Sequence, residues 1–231
     1  MSSEPRPPGE ILLINKPYGW TSFQVVKKIK WVTRAKRVGH AGTLDPLATG
    51  LLLVCTEGST RKIQELQDQE KEYTGTITLG STTPSYDLET EPNAFFPFDT
   101  ITEAMVIEKT AAFTGLLSQL PPVYSAIKVD GKRAYKLARE GVATEMKPRE
   151  ITIREFEITG VTLPDIHFRV VCSKGTYIRS LAHDFAQSLG SGGHLSALCR
   201  TRIGEHRLTN ALTPKDFEET LKSNTEKLLD D

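Results

Sequence analysis

Four consecutive aliphatic residues, Leu51-Leu52-Leu53-Val54, stand directly behind a loop punctuated by Gly39, Gly42 and Gly50. A strand that is apolar at every position has no solvent face, so it has to lie buried in a layered fold. A tight loop feeding such a strand is held from behind and presents its polar residues at the edge of a cleft. That loop, Gly39-His40-Ala41-Gly42-Thr43-Leu44-Asp45-Pro46-Leu47-Ala48-Thr49-Gly50, carries one carboxylate, Asp45. The absence of a second acidic residue argues against a two-carboxylate hydrolase. Asp before Pro is also a common helix opening, because Asp caps free N–H groups and Pro suits the first helical position. On these residues Asp45 is either a nucleophile or a helix cap.

A chain of 231 residues, 38% hydrophobic and 25% charged, has ample material for a globular core. No apolar run approaches the roughly 20 residues of a membrane span. Residues 1–8, Met-Ser-Ser-Glu-Pro-Arg-Pro-Pro, have no apolar signal region and read as a disordered lead-in to a single domain over 9–231; a cytoplasmic location is expected. Cys55, Cys172 and Cys199 are odd in number, widely spaced and beside apolar runs, which suits buried thiols better than disulfides. The five histidines show no metal-binding spacing, and no metal is expected.

The formal net charge is zero, but its distribution is uneven. Residues 1–63 hold ten basic and four acidic side chains, whereas 64–110 hold two basic and ten acidic. A basic footprint on one face is what phosphate contacts require, whatever the total. Ordinary solvated helix faces would give the same count.

Hydrophobic periodicity predicts a strand over 9–15, then a helix capped by Thr21 or Ser22 with Phe23, Val26, Ile29 and Val32 as its apolar face. A strand over 51–56 and a short helix capped by Ser59 follow. Tyr73, Ile77 and Leu79 alternate with Thr74, Thr76 and Thr78, the period of a half-buried strand. Residues 81–100 read as a surface loop, Thr102 begins a helix reaching Phe113, and a strand at 124–129 precedes a helix over 132–140. Strands near 150–159 and 166–172, a helix from Tyr177 to Leu189 and a last helix after Thr213 complete the chain. Neighbouring strands without strict βαβ alternation indicate an α+β fold with a mixed, mostly antiparallel sheet flanked by helices.

The Asp45 segment resembles the catalytic motif of the bacterial tRNA pseudouridine synthase B family, which isomerises uridine 55 in the T loop of tRNA. Three further blocks agree with that family in the same order: Asn15-Lys16-Pro17-Tyr18-Gly19-Trp20-Thr21-Ser22, Lys174-Gly175-Thr176-Tyr177-Ile178-Arg179 and Leu198-Cys199-Arg200-Thr201-Arg202-Ile203-Gly204. Four ordered motifs across residues 10–205 are far more specific than any one of them. The resemblance implies a pseudouridine synthase fold, an isomerase without cofactor, and tRNA as partner, acting as a monomer with no obligatory protein partner.

It also implies roles, residue by residue. Asp45 is the nucleophile, Arg179 its ion-pair partner, and Tyr73 the ring that stacks on the flipped base. His40 engages the opened T loop, and Tyr177 and Leu198 line the pocket. Lys16 supports the active-site loop or a phosphate, while Lys174 and Arg200 are candidate phosphate contacts. Taken alone, Arg179 reads as a surface arginine near a helix start and Tyr73 as a core aromatic. Whether Asp45 attacks the sugar or the base, or acts by elimination, the motif does not specify.

Two departures from the family stand out. The Thr- and Asp-rich segment after the Tyr73 strand is here Ser81-Thr82-Thr83-Pro84-Ser85-Tyr86-Asp87-Leu88-Glu89-Thr90, with Asp87 in register but no closing Gly. No PUA domain, the RNA-contacting C-terminal module of many members, is expected after residue 228. The competing readings are a non-catalytic tRNA-binding protein, which would not need Asp45, and the guide-dependent relative of archaea and eukaryotes, which works with partner proteins.

Overall fold

The structure, a computed structural model, describes residues 9–230 apart from 126, 130, 135–136, 138–141 and 143–145. Its strands, in chain order, are β1 (Ile11–Lys16), β2 (Val38–Ala41), β3 (Thr49–Thr56), β4 (Lys71–Leu79), β5 (Ser81–Thr82), β6 (Ala94–Phe95) and β7 (Gly115–Gln119). They continue as β8 (Lys128–Val129), β9 (Lys132–Arg133), β10 (Arg149–Thr162), β11 (Asp165–Cys172), β12 (Gly193–Ile203) and β13 (His206–Arg207). The α-helices among the described residues are α1 (Ser22–Thr33), α2 (Ile63–Asp68), α3 (Glu103–Lys109), α4 (Ile178–Ser188) and α5 (Pro214–Asp230). Contacts gather these into two compact units, one within residues 9–72 and 199–230 and one within residues 73–198.

In the first unit β1 and β2 pair antiparallel to β3, while Cys199 and Arg200 of β12 pair parallel to it. The β3 side chains alternate between two cores. Leu52 and Val54 face Ile14, Val25 and Ile29, and Leu51, Leu53 and Cys55 face Ala41, Leu66 and Ile203. With both faces covered, every position of the strand is apolar for a reason. Gly50 enters β3 at φ +101°, and a Cβ there would stand 2.4 Å from the Arg200 carbonyl oxygen, so glycine is required where β3 meets β12.

Helix α1 starts as expected, through a capping box between Thr21 and Gln24. Its inward face differs: Ser22, Val25 and Ile29 are buried, while Phe23 is 72% exposed. Ser22 turns inward because its hydroxyl has backbone partners there. The region around Ser59 forms a 3₁₀ turn over Glu57–Lys62 before α2, and the Ser59 hydroxyl donates to the Gly9 carbonyl.

In the second unit the strand order is β12, β4, β11, β10, β7, with β10 antiparallel to both β11 and β7. Buried Lys71, Tyr73, Ile77 and Leu79 alternate along β4. Helix α4 buries Leu181, Ala182, Phe185 and Ala186, and Phe185 meets Phe156 and Phe113 edge-on at 5.1 and 5.3 Å. Residues 81–87 depart from the expected surface loop, whereas 88–100 are largely exposed. Thr82 and Ser81 pair with Ala94 and Phe95, and Thr83, Ser85 and Asp87 are buried. Strands β2, β7 and β12 have no counterpart in the periodicity reading. Lys132 and Arg133 pair with Val129 and Lys128, and Ala134 and Leu137 are helical; the rest of the helix expected over 132–140, like the lead-in over 1–8, lies outside the described residues.

Candidate active site

Asp45 begins a turn, not a helix: its carbonyl accepts from the Ala48 N–H at 3.1 Å and the chain passes straight into β3. The helix-cap reading is thereby removed. The loop is gripped through its backbone by three side chains. The Ser22 hydroxyl donates to the Leu44 carbonyl at 3.0 Å and accepts the Leu44 N–H at 2.9 Å. The Lys16 ammonium donates to the carbonyls of Pro17, Trp20 and Pro46 at 3.0, 2.6 and 3.2 Å, joining the end of β1 to the residue after Asp45. The Arg200 guanidinium donates to the carbonyls of Leu51 and Gly42 at 2.8 and 3.0 Å, bracing the loop from its other end.

These bonds bear on two sequence expectations. Arg200 is 1% exposed and bonded to backbone carbonyls, so it is an internal brace and not a phosphate contact. Of the two roles open to Lys16, loop support is the one its full burial allows. Burial pushes the Lys16 ammonium down to about 8; the Asp45 carboxylate opposes that shift and Arg200 adds to it. His40, on β2, is half-buried, and its Nδ1 has no hydrogen-bond partner among the described residues. Burial first and the Arg200 charge second lower its pKa, which keeps the ring neutral at pH 7. The first unit thus brings together Lys16, His40, Asp45 and Arg200.

The second unit holds the remaining candidates. Arg179, in the first turn of α4, is 4% exposed, so it is no surface arginine. It donates to the carbonyls of Ser85 and Tyr124, each at 2.9 Å, and its Nε lies 3.5 Å from an Asp87 carboxylate oxygen. Asp87 is itself fixed: its other oxygen accepts the Glu89 N–H, and its carbonyl accepts the hydroxyls of Thr83 and Ser85. Asp87, Ser85 and Tyr124 are partners that motif reading did not assign. The alternation of polar residues at 83, 85 and 87 was the available signal, since one face of an extended segment carries all three.

Tyr177 caps α4, and its backbone N–H and carbonyl both bond the Gln119 side-chain amide, at 2.8 and 3.0 Å. The Arg149 guanidinium stands 5.9 Å from the Tyr177 ring centroid. Tyr73, 9% exposed, and half-buried Leu198 sit on the neighbouring strands β4 and β12. Lys174 is exposed in the Ser173–Thr176 turn. No cluster of three or more His, Cys, Asp or Glu residues suited to a metal occurs among the described residues. No described helix is long and apolar enough to cross a membrane.

The chain is 54% identical over 221 residues to the tRNA pseudouridine synthase B of Flavobacterium johnsoniae, covering 93% of this chain and 96% of that one. It is 50% identical over 226 residues to that of Parabacteroides distasonis, covering 95% and 96%. Among solved structures, a chain of a Cbf5-Nop10-Gar1 complex matches with a TM-score of 0.72 at 31% identity, over 90% of this chain and 53% of that one. A chain of an H/ACA RNP bound to a substrate RNA containing 2′-deoxyuridine matches with a TM-score of 0.68 at 28% identity, over 90% and 52%. The chain thus spans about half the length of those solved chains. The model of the TruB family pseudouridylate synthase N-terminal domain matches residues 30–178, and with that match and these relatives the chain belongs to the TruB family of pseudouridine synthases.

Proposed function

We propose that this chain isomerises uridine 55 in the T loop of tRNA to pseudouridine, with Asp45 as nucleophile and no cofactor, acting as a cytoplasmic monomer without an obligatory protein partner. The observation that carries the reading is the Asp45 loop, whose backbone is bonded by Lys16, Ser22 and Arg200 in a chain of this family. A nucleophile held that way loses little freedom on reaching its substrate.

In the reaction the N1–C1′ glycosidic bond breaks and a C5–C1′ bond forms. The C5 hydrogen leaves as a proton and N1 takes one up, so nothing is oxidised and no group reaches another molecule. The uridine must leave the stack first, which costs a few kcal/mol and is partly offset by about 1–3 kcal/mol from stacking on an aromatic ring. Tyr73 is assigned that ring, Arg179 the cation that works with Asp45, and Tyr177 and Leu198 the pocket around the base. His40 meets the opened loop and Lys174 a phosphate.

Tritium release from tRNA labelled at uracil C5 tests the assignment. The unmodified chain should release tritium and Asp45→Asn should release none while still binding tRNA. Equal release from both would remove Asp45 from the mechanism. The second reading, an enzyme that needs partner proteins, draws on the complexes in which those solved relatives stand. Release by the purified chain from bare tRNA excludes it.

A further inference from the structure

Helix α1 has a solvent face that the reaction does not use. Residues 22–37 contain six basic side chains and no acidic one. Lys30, Phe23, Arg34, Lys27 and Trp31 fall within about 100° of arc, a stripe on the side opposite Val25 and Ile29. All five are exposed, Phe23 at 72% and Trp31 at 68%, and Lys36 and Arg37 extend the positive charge just beyond the helix. The nearby carboxylates are engaged elsewhere: Glu218 pairs with Lys28 at 2.5 Å, and Glu57 accepts the Lys36 backbone N–H at 2.5 Å. Lys28 also lies 4.7 Å from the Trp31 ring centroid, covering one face of the indole. The high exposure of Trp31 leaves its other face to solvent.

Two large aromatics standing in water among Lys27, Lys30 and Arg34, which have no carboxylate partner among the described residues, are costly to a free surface and suited to one ligand class. A protein partner for the aromatics alone would not need this charge. A polyanion alone would not need the rings. RNA uses both, phosphates on the cations and a base on the indole. The stripe also begins where the candidate site begins, because Ser22, next to Phe23, holds Leu44 in the Asp45 loop. From there it runs about 16 Å along the helix.

We propose that this stripe of α1 is a second RNA-docking surface, on which an unpaired part of the substrate tRNA stacks a base on Trp31 and lays its phosphates along Lys27, Lys30 and Arg34. The proposal rests on tRNA as substrate and adds a surface that grips it away from the reacting uridine.

The test measures tRNA binding as a function of salt, and turnover, for the unmodified chain, Trp31→Ala, Trp31→Phe and the double variant Lys27→Glu/Lys30→Glu. Lys215→Glu, a charge reversal on exposed α5, is the control. Trp31→Ala should weaken tRNA binding about tenfold, and Trp31→Phe should restore most of it. The double variant should flatten the slope of log affinity against log salt by about 1.4. All should keep the unmodified kcat at saturating tRNA and unchanged unfolding midpoints, with Lys215→Glu unaltered throughout. Unmodified affinity and salt slope in both Trp31→Ala and the double variant would overturn the proposal and leave the stripe to another kind of partner. Absence of pseudouridine formation by the unmodified chain would instead overturn the functional reading, and the binding measurements would still decide the surface.

Discussion

Arg179 and Asp87 show how much a single buried charge depends on its partner. Both are nearly inaccessible, and an Asp87 carboxylate oxygen lies 3.5 Å from the guanidinium Nε. Asp87→Asn would remove one carboxylate from beside the buried Arg179 guanidinium, a loss of about 1–3 kcal/mol in urea unfolding. If Arg179 works with Asp45, tritium release should fall by more than that loss of folded protein explains. Lys16 makes a different prediction, in pH. Its ammonium needs three N–H bonds for three carbonyls, and the neutral amine has two. Activity should therefore decline as pH rises through about 8, the value to which burial lowers this group. Stability moves the other way. A lysine with a depressed folded-state pKa is protonated in both states below about 8, where its burial penalty is fully felt. Between about 8 and 10.5 only the unfolded chain keeps the proton, so this group makes folding more favourable as pH rises. A descending limb near 8 in the pH–rate profile, without loss of thermal stability, is the expected pair of results; a flat profile to pH 9.5 would contradict it.

At the scale of elements, α1 was legible as a helix but not in its orientation. The capping box at Thr21 and Gln24 is a local signal, set within four residues. Which side turns inward is a contest between the apolar surface of Phe23 and the hydrogen bonds of Ser22, and the backbone of Leu44 decides it from 22 residues away. Ser22→Ala should accordingly strand a buried N–H and carbonyl, costing about 1–3 kcal/mol in stability. Its kcat should fall more than its KM rises, because the loop carrying Asp45 loosens while the RNA surface is untouched. Strand β12 is not legible as a strand for a related reason. Its sequence, Gly193 to Ile203, mixes His, Ser, Cys and Arg with aliphatics, and Arg200 in particular reads as a surface residue. The buried carbonyls of Gly42 and Leu51 make that arginine internal.

For the whole molecule, β3 is the most enclosed strand described in the first unit, with apolar neighbours on both faces and hydrogen-bonded strands on both edges. Its amides at Leu52, Leu53 and Val54 should be among the slowest to exchange with deuterium, opening only with global unfolding. The sequence by itself determined that such a strand exists, that a glycine-rich loop carrying Asp45 precedes it, and that the family motifs follow in order. Those properties are local, since they depend on side-chain period, glycine placement and short spacings. It did not determine that Arg200 and Lys16 are internal braces, that Asp87 partners Arg179, or that Thr83, Ser85 and Asp87 lie inside. A side chain's environment is set by backbone groups distant in sequence, and whether a charge is solvated or buried is decided only when the chain brings those carbonyls to it.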